Sequence, residues 1–155
     1  MVRDLSASGR VWVALGVLAL TMTAAGVAAA ADEDVIKTMS VPTVERLMRE
    51  LDLDFTEVDN NTYRFEVDGI KVVLFNKKDD TLQLYAGFSG LKITLSRINE
   101  WNRTKRFSRA YLDAENDPCL EADIDLTGGV TEGNFKEWVR TYFISVKTFR
   151  DFLHE

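Results

Sequence analysis

Asp68-Gly69 lies between two runs that alternate apolar and polar, Tyr63-Arg64-Phe65-Glu66-Val67 and Ile70-Lys71-Val72-Val73-Leu74-Phe75. Asp-Gly suits a two-residue type I′ turn, because both central residues of that turn need positive φ. The dipeptide therefore predicts a hairpin and fixes its register. Val67 is expected opposite Ile70, Phe65 opposite Val72 and Tyr63 opposite Leu74, all on one face. On the other face Glu66 meets Lys71, an opposite-charge pair that supports the hairpin modestly. One face of such a sheet must be buried, so the chain has to supply something to cover it.

Further strands and three helices follow from the same patterns. Phe55–Val58 leads into the turn Asn60-Asn61, and Asn76–Asp80 turns into a strand over Thr81–Phe88. A fifth strand is expected over Phe107–Asp113, a turn over Ala114–Pro118 and a sixth strand over Cys119–Leu126. Ser40-Val41-Pro42-Thr43 reads as a helix start, with Val44, Leu47, Met48 and Leu51 on one face and an end near Asp52. A short helix is expected from a Thr94 cap to about Asn102. The longest begins near Thr131 and presents Phe135, Trp138, Val139, Tyr142, Val146, Phe149 and Leu153. The order α-β-β-β-β-α-β-β-α specifies an α+β fold, an antiparallel sheet of five to six strands covered on one face by helices.

The first 31 residues belong to a different class of segment. Arg3 and Arg10 precede an apolar run from Val11, strongest through Leu20, that fades into Thr21-Met22-Thr23 and the alanines before Asp32. A basic flank, a short apolar core and small residues at an A-x-A site (Ala29-x-Ala31) are what signal peptidase recognises. Cleavage after Ala30 or after Ala31 fits equally. The competing reading is a retained membrane anchor, which the run is long enough to form, and the small-residue pattern favours cleavage. The expected layout is a secretory signal peptide over 1–31, a short tether over 32–39 and an α+β domain over 40–155. The expected location is the periplasm.

Taking 31 from 155 leaves 124 residues, enough for one core. The net charge of −6 becomes −7, because the leader removes Arg3, Arg10 and Asp4. An acidic domain without a basic stripe is a poor ligand for nucleic acid or for an anionic membrane. The single cysteine, Cys119, excludes an intrachain disulfide and is expected to be buried.

Ile98-Asn99-Glu100-Trp101-Asn102, then Arg106-Phe107-Ser108-Arg109-Ala110-Tyr111-Leu112-Asp113, resembles the central signature of YbjN-like proteins. Leu126-Thr127-Gly128-Gly129-Val130 before a last long helix extends the likeness, which spans about Val41 to Leu153. The resemblance implies a fold similar to type III secretion chaperones and a bacterial regulatory or protein-binding role without catalysis. It assigns no role to Asn99, Trp101, Asn102, Gly128 or Gly129. Core packing for Trp101, a helix C-cap for Asn102 and a strand-to-helix turn for the glycines are the structural readings.

No residues group into a catalytic or cofactor-binding set. His154 is next to the end of the chain, and Cys119 has no second histidine to activate it. Glu121, Asp123 and Asp125 alternate on one strand about 6–7 Å apart, so a metal or small-ligand site is conceivable there. A solvated strand face is the simpler reading, with Leu112 opposite Leu120, Tyr111 opposite Glu121, Arg109 opposite Asp123 and Phe107 opposite Asp125. Asp113-Ala114-Glu115-Asn116-Asp117-Pro118 lacks the Gly and Glu a calcium loop requires. The strongest candidate is the sheet face away from the helices. Val73, Phe75, Tyr85, Phe107 and Tyr111, framed by Arg109, Glu121 and Asp123, suit an unidentified protein or peptide partner, or a second copy of the chain.

Overall fold

A computed structural model describes residues 35–78 and 80–155. Its central hairpin joins β3 (Thr62–Val67) to β4 (Ile70–Lys78) with the pairs Val67–Ile70, Glu66–Lys71, Phe65–Val72 and Tyr63–Leu74. Asp68 and Gly69 take φ of 50° and 77°, as the turn chemistry requires. The flanking strands are β2 (Phe55–Asp59), β5 (Thr81–Gly87), β6 (Arg109–Leu112) and β7 (Pro118–Asp125). They build a six-stranded sheet in the order β2-β3-β4-β5-β7-β6, every neighbouring pair antiparallel. The chain therefore leaves β5, lays β6 at the far edge, and returns to insert β7 between them.

Among the described residues, three helices cover one face: α1 (Val41–Glu50), α2 (Leu95–Thr104) and α3 (Glu132–His154). The Thr94 and Thr131 hydroxyls accept from the backbone N–H groups of Arg97 and Asn134, satisfying orphan donors at the starts of α2 and α3. Val44, Leu47 and Met48 of α1, Ile98 and Trp101 of α2, and Phe135, Val139, Tyr142, Val146 and Phe149 of α3 are buried with Tyr63, Phe65, Val72, Leu74, Leu82 and Leu84 of the sheet. The Trp101 ring meets Phe149 edge-on at 4.8 Å and Phe152 at 5.4 Å. The fold is the α+β arrangement expected from the sequence, with the helices on one side of the sheet.

Four expectations need correction or limit. The signal peptide over 1–31 lies outside the described residues, as do residues 32–34 of the tether. The rest of that tether is part of the fold. Val35–Ile36 (β1) pairs with Val130–Thr131 (β8) in a second small sheet, and Met39 is fully buried, its carbonyl accepting from Asn76 Nδ2 at 2.7 Å. Gly129, at φ 96°, makes room for β1, since a Cβ there would collide with Val35 Cγ1. The β6–β7 register is displaced by two residues from the expected one: Leu112 pairs with Pro118, Tyr111 with Cys119, Ala110 with Leu120 and Arg109 with Glu121. The connecting turn is tighter than the sequence suggested. Asp113 Oδ1 accepts from the backbone N–H groups of Glu115 and Asp117, and Asp113 N–H donates to the Asp117 carbonyl. Finally, Phe107 falls outside β6, at φ 66°.

Candidate functional site: the open face of the sheet

Strand alternation sends every second residue away from the helices. The register lines up Arg64, Val73, Tyr85, Glu121 and Arg109 as one row across five strands. A second row holds Thr62, Phe75, Gln83 and Asp123. A third runs from Gly87 through Cys119 to Tyr111. Seven of the eight residues expected on a partner surface therefore share this face: Val73, Phe75, Tyr85, Arg109, Tyr111, Glu121 and Asp123. Phe107 does not. Its left-handed backbone carries it to the helical layer, where it lines a groove with Trp101 and Ile144.

Glu121 gives the face its chemistry. Its carboxylate is only 3% exposed although it points away from the core. Arg109, whose own side chain is 71% exposed, donates to Glu121 Oε1 and closes it from above. Gln83 Nε2 donates to Glu121 Oε2 at 3.4 Å and to Asp123 Oδ1 at 2.9 Å, joining two rows. Arg109 also lies 5.7 Å from the Tyr111 ring centroid, a cation–π distance. Burial first, and the Glu121 charge second, push the Tyr111 phenol up to about 12. Tyr85 shares a 3.1 Å hydrogen bond with Cys119 Sγ and packs against Phe75 with ring centroids 6.3 Å apart. Burial raises the Tyr85 phenol and the Cys119 thiol above their usual ranges. Cys119 is thus held as a protonated, buried thiol, unsuited to nucleophilic work near neutrality.

The three carboxylates of the stripe are separately engaged. Glu121 faces Arg109, Asp123 faces Gln83, and Asp125 accepts from Thr127 N–H at 2.7 Å, which holds it below the usual carboxylate range. The expected Arg109–Asp123 pairing is replaced by Arg109–Glu121, and Phe107 does not face Asp125, both following from the two-residue shift. Among the described residues no three His, Cys, Asp or Glu side chains are placed to hold a metal ion.

The signature residues divide between core and surface. Trp101 is core. Asn102 is not the C-cap, since α2 continues to Thr104. Its side chain instead clamps the edge strand: Nδ2 donates to the Ala110 carbonyl and Oδ1 accepts from the Ala110 N–H, both at 2.9 Å. This pair imitates a neighbouring strand and closes the β6 edge. Asn99 is exposed on α2. Gly128 and Gly129, at φ 90° and 96°, form the turn before β8. Sequence reasoning missed Gln83 as the bridge between acids, and missed the two-point role of Asn102. An alternation argument gives the face of a polar residue but not its partner.

The family model for YbjN, "Putative bacterial sensory transduction regulator", matches residues 40–155. The chain belongs to the YbjN family. A crystal structure of YbjN from E. coli, titled a putative transcription regulator, is similar with a TM-score of 0.52 at 18% identity, covering 66% of this chain and 82% of that one. At that identity the likeness speaks to the fold. No curated protein matches. The clamp by Asn102 and the Trp101 core contact give two signature residues of this YbjN-family chain structural work.

Proposed function

We propose that this YbjN-family chain is an exported, non-enzymatic regulatory module that binds a protein or peptide segment through the open face of its sheet. The observation that carries the reading is the one-sided cover. Among the described residues the helices roof the six strands on one side, and the other side presents Val73, Phe75, Tyr85 and Tyr111 in register between Arg64 and the Arg109–Glu121 pair. Partly buried aromatics ringed by charge match the composition of interface centres, where aromatic residues and Arg are enriched. The family resemblance, which implies a fold similar to type III secretion chaperones, supports a binding role. The leader supports export, with cleavage leaving Ala31 or Asp32 as the first residue, which intact mass will distinguish from a retained anchor.

The test is capture of partners from periplasmic extract by the secreted protein, beside a folded Phe75→Ser, Tyr85→Ser variant. A protein bound by the parent and lost by the variant supports the reading. Equal capture by both removes the face from consideration. If the parent captures only itself, a second copy covers the face and the module is a homodimer.

A further inference from the structure

The helical layer carries another surface, where local charge runs opposite to the acidic whole. Residues 103–109 contain Arg103, Lys105, Arg106 and Arg109 and no carboxylate. The expectation of no basic stripe overlooked this segment, because net charge averages it away. Arg109 is engaged by Glu121. Arg103, Lys105 and Arg106 are exposed and form no salt bridge among the described residues. Between Arg106 and Ser108, Phe107 holds φ of 66°, which costs a bulky residue about 1–2 kcal/mol. Its ring is nevertheless 72% exposed, so burial in this chain does not offset the strain. Across the groove that Phe107 lines, Ile144 of α3 is 65% exposed.

This groove holds about 300 Å³ and is lined by Lys105, Arg106, Phe107, Ile144, Ser145 and Thr148, among others. The Ser145 and Thr148 hydroxyls donate to the carbonyls of Thr141 and Ile144, so what they have left for the groove is acceptor capacity. We propose that this groove docks an acidic peptide segment. An apolar side chain packs between Phe107 and Ile144, a neighbouring carboxylate meets Lys105 and Arg106, and peptide N–H groups meet the hydroxyl oxygens. Charge complementarity selects an anionic occupant. The free hydroxyl acceptors select one that carries N–H donors, which acyl chains lack. The proposal stands apart from the sheet face and survives its failure.

Three pools of acetylated hexapeptide amides would be passed over the immobilised secreted protein. All contain Leu and Phe, mixed with Asp and Glu, with Asn and Gln, or with Lys and Arg. The expected result is retention of the acidic pool about tenfold above the others, weakening as salt rises. Lys105→Glu, Arg106→Glu should abolish it. Phe107→Asn should also lower it, while melting at or above the parent temperature, because Asn tolerates the left-handed backbone. That variant separates loss of docking from loss of fold. Equal retention of the three pools, or undiminished retention by the charge-reversed variant, overturns the proposal. So does sedimentation with phosphatidylglycerol–phosphatidylcholine vesicles while the acidic pool passes through, which would make the surface a membrane contact.

Discussion

Replacing Asn102 with Ala removes both hydrogen bonds to Ala110 and strips the β6 edge of its partner. Ala110 is 3% exposed, so its N–H and C=O depend on that amide. Each bond is worth about 0.5–1.5 kcal/mol net, and a buried group left unpaired costs about 1–3 kcal/mol. The Asn102 side chain itself is exposed, so water can enter the vacated space and soften the loss. The expected cost is about 2 kcal/mol, equivalent to a fall of roughly 6–12 °C in melting temperature for a domain of this size. Asn102→Asp preserves shape but sets a carboxylate oxygen against the Ala110 carbonyl, so it should cost at least as much as Ala. Urea melts give the stabilities, and hydrogen exchange should show the Ala110 amide losing protection in both variants. If both variants stay within about 0.5 kcal/mol of the parent with Ala110 still protected, the clamp is not structural. The signature Asn would then need a functional explanation.

Two further outcomes follow from the open face. Arg109→Ala leaves the Glu121 carboxylate buried without its cation, which costs about 3–5 kcal/mol in a fully buried pair and roughly 1–3 kcal/mol here because Arg109 is largely exposed. Adding Glu121→Gln should restore most of that loss in a double-mutant cycle, and a purely additive result would mean the pair is not coupled. Burial raises Tyr85, Tyr111, Tyr142 and the Cys119 thiol. Groups with raised folded values contribute stability that is intact below their unfolded values. It drains as pH climbs through the folded ones, so urea midpoints should fall between about pH 9 and about pH 12. A flat profile across that window, or rapid labelling of Cys119 by a thiol reagent at neutral pH, would contradict the buried arrangement.

What the sequence reveals here is local. The Asp68-Gly69 hairpin could be read residue by residue because two positive-φ positions determine its register, and the Thr94 and Thr131 caps mark helix starts for equally local reasons. The β6–β7 register could not, since its turn depends on Asp113 accepting two backbone amides, which the spacing of apolar residues does not encode. The displacement is two residues, so every side chain within β6 and β7 kept its face, and seven of the eight candidate surface residues survived an incorrect pairing. The burial of Glu121 was hidden because it is made by four neighbours from two other strands, Arg109 and Tyr111 of β6 and Gln83 and Tyr85 of β5. The insertion of β7 between β5 and β6 was hidden because strand order is a long-range property. Phe107 was lost to the face for a single-residue reason: period-two alternation assumes extended backbone, and this residue is left-handed.

The measurement that bears most directly on the central claim is photo-crosslinking from the open face. A photoreactive phenylalanine at Tyr85, at the centre of the Arg64–Arg109 row, would be compared in living cells with one at exposed Glu137 on α3. The account predicts a discrete adduct from position 85 with a partner protein, absent from position 137 and lost when Phe75→Ser is added. Adducts equally abundant from both positions, or none from position 85 in a folded and exported chain, would contradict it.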